Sequence, residues 1–220
     1  MKKLIIFDLD GTLLDTLDDL KNAVNYALAS FGYPTRTREH IRKSIGNGVA
    51  KLVERCIPDG SDNPNYLECL KIFKQYYSDH YDDNTFPYEG MVDVVTKLKE
   101  EGFLLAVATN KIDSLAHELI EKHYQNLFNF ILGDIDGVPK KPHPQMIENI
   151  LHYFDLKKEE ALYIGDTNVD EETALNSELD YVLLTYGYRT KEEILLSCKG
   201  RTLISSPQGI IEYMKNGIAQ

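Results

Sequence analysis

A chain of 220 residues that is 43% hydrophobic and 27% charged has the make-up of a globular protein long enough to bury a proper core. Its formal net charge of -11, with no basic run to interrupt it, argues against nucleic-acid binding, which needs a positive footprint. Three widely spaced cysteines and the lack of any stretch near ~20 apolar residues argue against a disulfide framework and a membrane span.

Leu4-Ile5-Ile6-Phe7 runs straight into Asp8, with Asp10-Gly11 following. A short apolar run bounded by a turn signal predicts a strand buried on both faces, as in a parallel sheet. The run meets Asp8 too early to be the core of a signal peptide, so a cytoplasmic protein is expected. An Asp-Gly turn accounts for Asp10 but not for Asp8, which still belongs to the apolar run.

Thr16-Leu17-Asp18-Asp19 predicts a helix start with a hydroxyl cap, and Leu20, Val24, Ala27 and Leu28 continue it at helical spacing. Two shorter helices follow between about Arg38 and Ile57, broken at Gly46-Asn47-Gly48, and a fourth carries Leu67, Leu70, Phe73 and Tyr77. From Tyr88 the pattern alternates between helix and strand. Its strands are predicted at 103–108, 130–132, 161–164, 181–184 and from Arg201 to Ile204. Such alternation predicts an α/β fold with a doubly wound, mostly parallel sheet. Residues 1–15 plus 84–220 are expected to form this core domain, and residues 16–83 an inserted four-helix domain.

Polar residues cluster where these strands end. Thr109-Asn110 follows one, Gly165-Asp166-Thr167 with Asp170 follows another, and Lys140-Lys141-Pro142 lies between them. In a parallel sheet these ends share one edge with Asp8 and Asp10, where ligands of open α/β sheets bind. The set suits phosphoryl transfer with a hard cation, magnesium, for which Asp8 and Asp166 are the natural carboxylate pair. Thr109, Lys141 and backbone N–H groups after Asp8 can stabilise charge on phosphoryl oxygens. One carboxylate can act as nucleophile and a second as general acid and base.

Asp8-Leu9-Asp10-Gly11-Thr12, Thr109-Asn110, Lys141-Pro142 and Gly165-Asp166-Thr167-Asn168-Val169-Asp170, in this order, resemble the haloacid dehalogenase-like hydrolase superfamily. The resemblance implies a Rossmann-like core with a helical cap of the C1 type. It implies Asp8 as nucleophile, Asp10 as acid and base, and Thr109, Asn110 and Lys141 on the substrate phosphate. Asp8, Asp10 and Asp166 would hold Mg2+, with Asp170 contacting the metal indirectly and Thr12 steadying the loop. Ile45-Gly46-Asn47-Gly48, Pro87-Tyr88-Glu89-Gly90 and Tyr186-Gly187-Tyr188-Arg189 are similar to phosphoglycolate phosphatase-like members. The expected function is therefore a magnesium-dependent phosphatase acting on a small phosphorylated metabolite. A sugar phosphomutase is the alternative within the family, and a phospho-accepting signalling domain the alternative outside it. A monomer or weak homodimer without nucleic-acid or membrane partners is expected.

Several residues admit plainer readings. Lys140 is expected in solvent, His143 at an exposed helix start, and Asp134 and Asp136 in an ordinary turn. The six histidines show no zinc-ligand spacing, and Gly46–Lys51 lacks the strand that must precede a Walker loop. If Val49 begins a helix, Asn47 and a nearby cation, Lys43 or Lys51, are candidates for reading the non-phosphate end of the substrate. Asn176-Ser177-Glu178-Leu179 departs from the family, which commonly has a small residue and a glycine in that turn.

Overall fold

The computed structural model describes residues 2–199 and 202–217, and the chain divides into two compact units, 1–14 with 87–220, and 15–86. In chain order the strands are β1 (Leu4–Phe7), β2 (Leu14–Asp15), β3 (Phe86–Pro87), β4 (Leu104–Ile112), β5 (Phe130–Asp134), β6 (Ala161–Gly165), β7 (Asp180–Leu184) and β8 (Leu203–Ile204). The helices are α1 (Leu17–Ala29), α2 (Arg38–Ser44), α3 (Val49–Cys56), α4 (Tyr66–His80), α5 (Met91–Glu100), α6 (Asp113–Tyr124), α7 (Gln145–Phe154), α8 (Asn168–Asn176), α9 (Lys191–Ser197) and α10 (Gln208–Gly217). Two 3-10 turns, Gly60–Asp62 and Lys158–Glu160, complete the set among the described residues.

The larger unit is built on a six-stranded sheet in the order β5-β4-β1-β6-β7-β8, with every pairing parallel. The chain leaves β1 for β4 on one side and later returns for β6 on the other. The strand order therefore reverses at β1, the position where α/β sheets open a ligand crevice. Leu4, Ile5, Ile6 and Phe7 are all fully buried, as a central parallel strand requires. One side of the sheet packs Leu4, Ile6, Ala106, Ala108 and Tyr163 against Ile147, Ile150 and Leu151 of α7. The last strand begins at Leu203; Arg201, where it was expected to start, lies outside the described residues. β2 pairs with β3 as a separate two-stranded sheet, which the sequence pattern does not announce.

The smaller unit holds α1 to α4. Its buried positions include Leu20, Ala23, Val24, Ala27, Ile41, Leu52, Val53, Phe73 and Tyr77. Two sequence expectations change here. The Thr16 hydroxyl does not cap α1; the Asp15 carboxylate accepts from the Leu17 N–H at 3.0 Å instead. On α4 the buried stripe is Cys69, Phe73 and Tyr77, whereas Leu67 is 75% exposed. Asp19 is buried because three donors meet it in four hydrogen bonds: the Asn84 N–H contacts both its oxygens, and the Asn84 amide and Thr85 hydroxyl add one bond each. Among the described residues no helix is long and apolar enough to cross a membrane, and the three cysteines are free.

Candidate active site

Asp8 extends β1 by one residue, and its N–H still donates to the Ile164 carbonyl of β6 at 2.9 Å. The ladder thus delivers the carboxylate to the sheet's C-terminal edge. Gly11 then turns the chain with φ of 89°, a left-handed conformation that favours glycine. A Cβ at that position would lie 2.5 Å from Asp166 Oδ2, so the backbone passes too close to Asp166 for any side chain.

Asp8, Asp166 and Asp170 form one buried group, each offering an oxygen within 4.8 Å of the others. Lys141 is their counter-ion. Its Nζ lies 2.8 Å from Asp8 Oδ1, 2.8 Å from Asp170 Oδ1 and 2.8 Å from the Tyr163 hydroxyl. Tyr163 OH in turn donates to Asp170 Oδ1 at 3.0 Å. Asp170 belongs to the first turn of α8, and its other oxygen accepts from the N–H groups of Asp166 and Thr167 and from the Thr167 hydroxyl. Both oxygens of Asp170 are therefore engaged in holding Lys141 and the turn that follows β6. Asp166 is held separately. The Thr12 hydroxyl donates to its Oδ1 at 3.1 Å and the Tyr188 N–H to its Oδ2 at 2.6 Å.

The electrostatics follow from this crowding. Burial first, and then the charge of Asp170, push Asp8 up to about 7 against the pull of Lys141. Burial, with Asp170 and Asp8 adding to it, raises Asp166 well above the usual carboxylate range. Burial would raise Asp170 as well, but the charge and hydrogen bond of Lys141 and the donors of Thr167 bring it below its ordinary value. Lys141 stays charged because Asp170 and Asp8 outweigh its desolvation. Three buried carboxylates facing one buried ammonium leave uncompensated negative charge, and every ligand atom the three offer is a carboxylate oxygen. That donor set fits a hard divalent cation.

Asp10 occupies a different environment. Its carboxylate is outside the three-acid group and pairs with Lys111, whose Nζ is 3.0 Å from Asp10 Oδ1. Thr109 is 1% exposed and its hydroxyl accepts from the Lys111 N–H. The Asn110 side chain faces the Lys141 backbone, donating to its carbonyl and accepting from its N–H. β4 thus extends through 109–112, where the sequence pattern ends the strand at Ala108, and its pairing with β5 shifts register between Ala108 and Ile112. Irregularities of this kind re-aim side chains beside functional sites.

Lys111 and Tyr163 are the site residues that sequence reasoning missed, and Gly187-Tyr188, named there only within a family-like stretch, enters the site through its backbone. Lys111 is a lysine within two residues of Thr109, a signal visible once the strand is continued. Tyr163 reads as a core aromatic, and nothing local reveals where its hydroxyl goes. Lys140, by contrast, turns away to pair with Asp134, and exposed His143 accepts from the Gln145 N–H. In the helical unit, α3 does begin at Val49, Asn47 Oδ1 accepts from Arg55, Lys51 pairs with Glu54, and Lys43 with Glu39.

Residues 5–184 match the family described as haloacid dehalogenase-like hydrolase. The chain is 34% identical over 204 residues to a phosphoglycolate phosphatase of Aliivibrio fischeri, covering 87% of this chain and 88% of that protein. It is also 34% identical to phosphoglycolate phosphatase 1 of Pseudomonas aeruginosa over 194 residues, 86% of this chain and 71% of the relative. A crystal structure from Lactobacillus delbrueckii subsp. bulgaricus, carried as a candidate phosphoglycolate phosphatase, superposes with a TM-score of 0.91 and 31% identity, covering 96% of this chain and 98% of its own.

Proposed function

We propose, from the premise that this chain belongs to the haloacid dehalogenase-like hydrolases and is a phosphoric monoester hydrolase, that it is a magnesium-dependent phosphatase acting on a small phosphorylated metabolite of the phosphoglycolate kind through an aspartyl-phosphate. The observation that carries the proposal is the separation of the two acids of Asp8-Leu9-Asp10. One lies in a buried three-carboxylate group with Lys141, and the other pairs with Lys111 outside it.

Asp8 is the nucleophile: a carboxylate oxygen attacks phosphorus while the ester oxygen departs. Asp10 gives that oxygen its proton and then takes one from the water that hydrolyses the acyl phosphate, a role typically worth about 10²–10⁴-fold. Lys141 and the Thr109 hydroxyl face the phosphoryl oxygens. Asn110 fixes the Lys141 backbone, and Asp170 with Tyr163 fixes its ammonium. Asp8, Asp166 and the Asp10 backbone carbonyl would hold magnesium. When bound, the ion supplies positive charge that keeps Asp8 ionised and offsets the charge of the phosphoryl oxygens.

The test is phosphate release from a panel of small phosphate esters, with magnesium and with chelator, for the protein and for Asp8→Asn. Magnesium-dependent release that vanishes in Asp8→Asn is expected. Full activity in that variant defeats the mechanism, and movement of the ester without release makes the enzyme a mutase.

A further inference from the structure

Lys111 and Lys141 are the two buried lysines among the described residues, and the chemistry above gives work only to Lys141. Lys111 has a side chain 2% exposed, and its Nζ sits 3.0 Å from Asp10 Oδ1. Burying an ammonium is costly, and one beside a carboxylate that must carry a proton to the leaving group is an odd choice unless something else needs the charge.

We propose that Lys111 is a specificity-determining residue that binds an anionic group, a carboxylate, carried by the leaving alcohol close to the ester oxygen. This rests on the reading of Asp10 as the proton donor. To protonate the ester oxygen, Asp10 must come within about 2.6–3.2 Å of it. Lys111, in contact with Asp10, is then next to the leaving group rather than next to phosphorus. A leaving group such as glycolate carries its carboxylate on the same carbon that bears the ester oxygen, within reach of that ammonium.

Charge points the same way. A carboxylate entering this site meets Asp8, Asp10, Asp166 and Asp170, and Lys141 is already committed to Asp8, Asp170 and Tyr163. Lys111 sits on the leaving-group side of those acids and can offset the repulsion. The register shift in β4 between Ala108 and Ile112 is the backbone feature that accompanies this placement, and the Lys111 N–H donates to Thr109 Oγ1 at 3.2 Å.

The experiment compares kcat/KM of the full chain with magnesium on 2-phosphoglycolate and on 2-hydroxyethyl phosphate, which has a neutral hydroxyl in place of the carboxylate. The unaltered protein is expected to favour the carboxylate ester. Lys111→Met should lower kcat/KM for 2-phosphoglycolate by about 10- to 100-fold, mostly through KM, the scale of one charge-assisted hydrogen bond. The neutral ester, which shares only the contact through Asp10, should lose clearly less, so that the ratio of the two kcat/KM values falls by about 10-fold, and Lys111→Arg should recover most of the preference. Equal losses on both esters overturn the proposal and leave Lys111 acting only through Asp10. Lack of preference in the unaltered protein overturns it without any variant. Release from neither ester overturns it together with the phosphoglycolate-type reading, an outcome distinct from the other two.

Discussion

The side-chain amide of Asn110 brackets the Lys141 backbone: Nδ2 donates to the Lys141 carbonyl at 3.0 Å and Oδ1 accepts from the Lys141 N–H at 2.9 Å. A strand end and a loop from elsewhere in the chain are joined at the residue whose ammonium reaches Asp8. Removing the amide in Asn110→Ala strands two buried backbone groups, each costing about 1–3 kcal/mol when unpaired. The expected result is a clear loss of stability in denaturant, together with a rise in KM for the phosphate ester as Lys141 loses its anchor. Asn110→Asp keeps the acceptor and loses the donor, so it should fall between the two. Unchanged denaturation midpoints would show that the bracket contributes nothing.

Gly187 lies where the loop after β7 crosses the acid group. A Cβ there would stand 2.2 Å from the Gly11 carbonyl oxygen and 2.5 Å from Asp166 Oδ2, with backbone on one side and a held carboxylate on the other. Gly187→Ala must therefore push the loop outward and break the Tyr188 N–H bond to Asp166. Overpacking of this kind costs about 1–3 kcal/mol. Because the displaced group is Asp166, the magnesium concentration for half-maximal activity should rise even in protein that remains folded at the assay temperature. Titrating activity with magnesium in the variant and the parent measures this directly.

Much of this site is legible in sequence because its residues sit where apolar strands stop. Leu4–Phe7 must be a buried strand, so Asp8 must stand at its end, and the same logic locates Asp166 after Ala161–Ile164. Pro142 directly follows Lys141 and singles it out from the adjacent Lys140, and only Lys141 is drawn into the acids. The pattern fails where residue type carries two meanings. Tyr163 is both a core aromatic and a donor to Asp170, and Lys111 lies in a strand that the apolar pattern closes at Ala108. Leu67 fits a helical stripe yet faces solvent, because the stripe that packs is set one helix face away. Tyr188 contributes a backbone N–H, which no side chain announces.

The raised carboxylates make the metal-free protein acid-stabilised. Asp8 is pushed up to about 7 by burial and then by Asp170, and Asp166 is raised from the same two causes. Below about pH 4 these groups bind protons in both the folded and the unfolded chain. Between there and the folded value only the folded chain binds them, so stability falls as pH rises, by up to about 1.4 kcal/mol per pH unit for each group. Asp170, shifted the other way, acts below this window. With chelator present, the melting temperature should drop from pH 5.5 to 7.5, and Asp8→Asn should flatten the drop. Magnesium should stabilise more at 7.5 than at 5.5, since it then replaces fewer protons. A profile equally steep in Asp8→Asn would remove Asp8 as the cause.

Glu178 has φ of 57°, a left-handed conformation at a residue with a Cβ. The reason is the end of α8. The Leu179 N–H returns to the Ala174 carbonyl at 2.9 Å and the Glu178 N–H to the Leu175 carbonyl at 3.1 Å, while Leu179 and Ala174 share the apolar core. This is a Schellman ending, whose left-handed position is usually glycine. The glutamate here occupies a position at which glycine is at ease, and its Cβ is under strain. A left-handed residue with a Cβ costs roughly 1–2 kcal/mol, and the added freedom of glycine in the unfolded chain returns about 0.4–1 kcal/mol of that. The Lys158–Glu178 pair at 3.2 Å has its carboxylate side chain 77% exposed, and such pairs are worth about 0–1 kcal/mol. The terms leave a net gain of about 0.3 kcal/mol, so Glu178→Gly should raise the melting temperature by about 1 °C. Glu178→Ala loses the same ion pair without relieving φ and should not stabilise. Calorimetry on both variants separates the two terms, and a Gly variant no more stable than the Ala variant would show that the left-handed turn carries no strain.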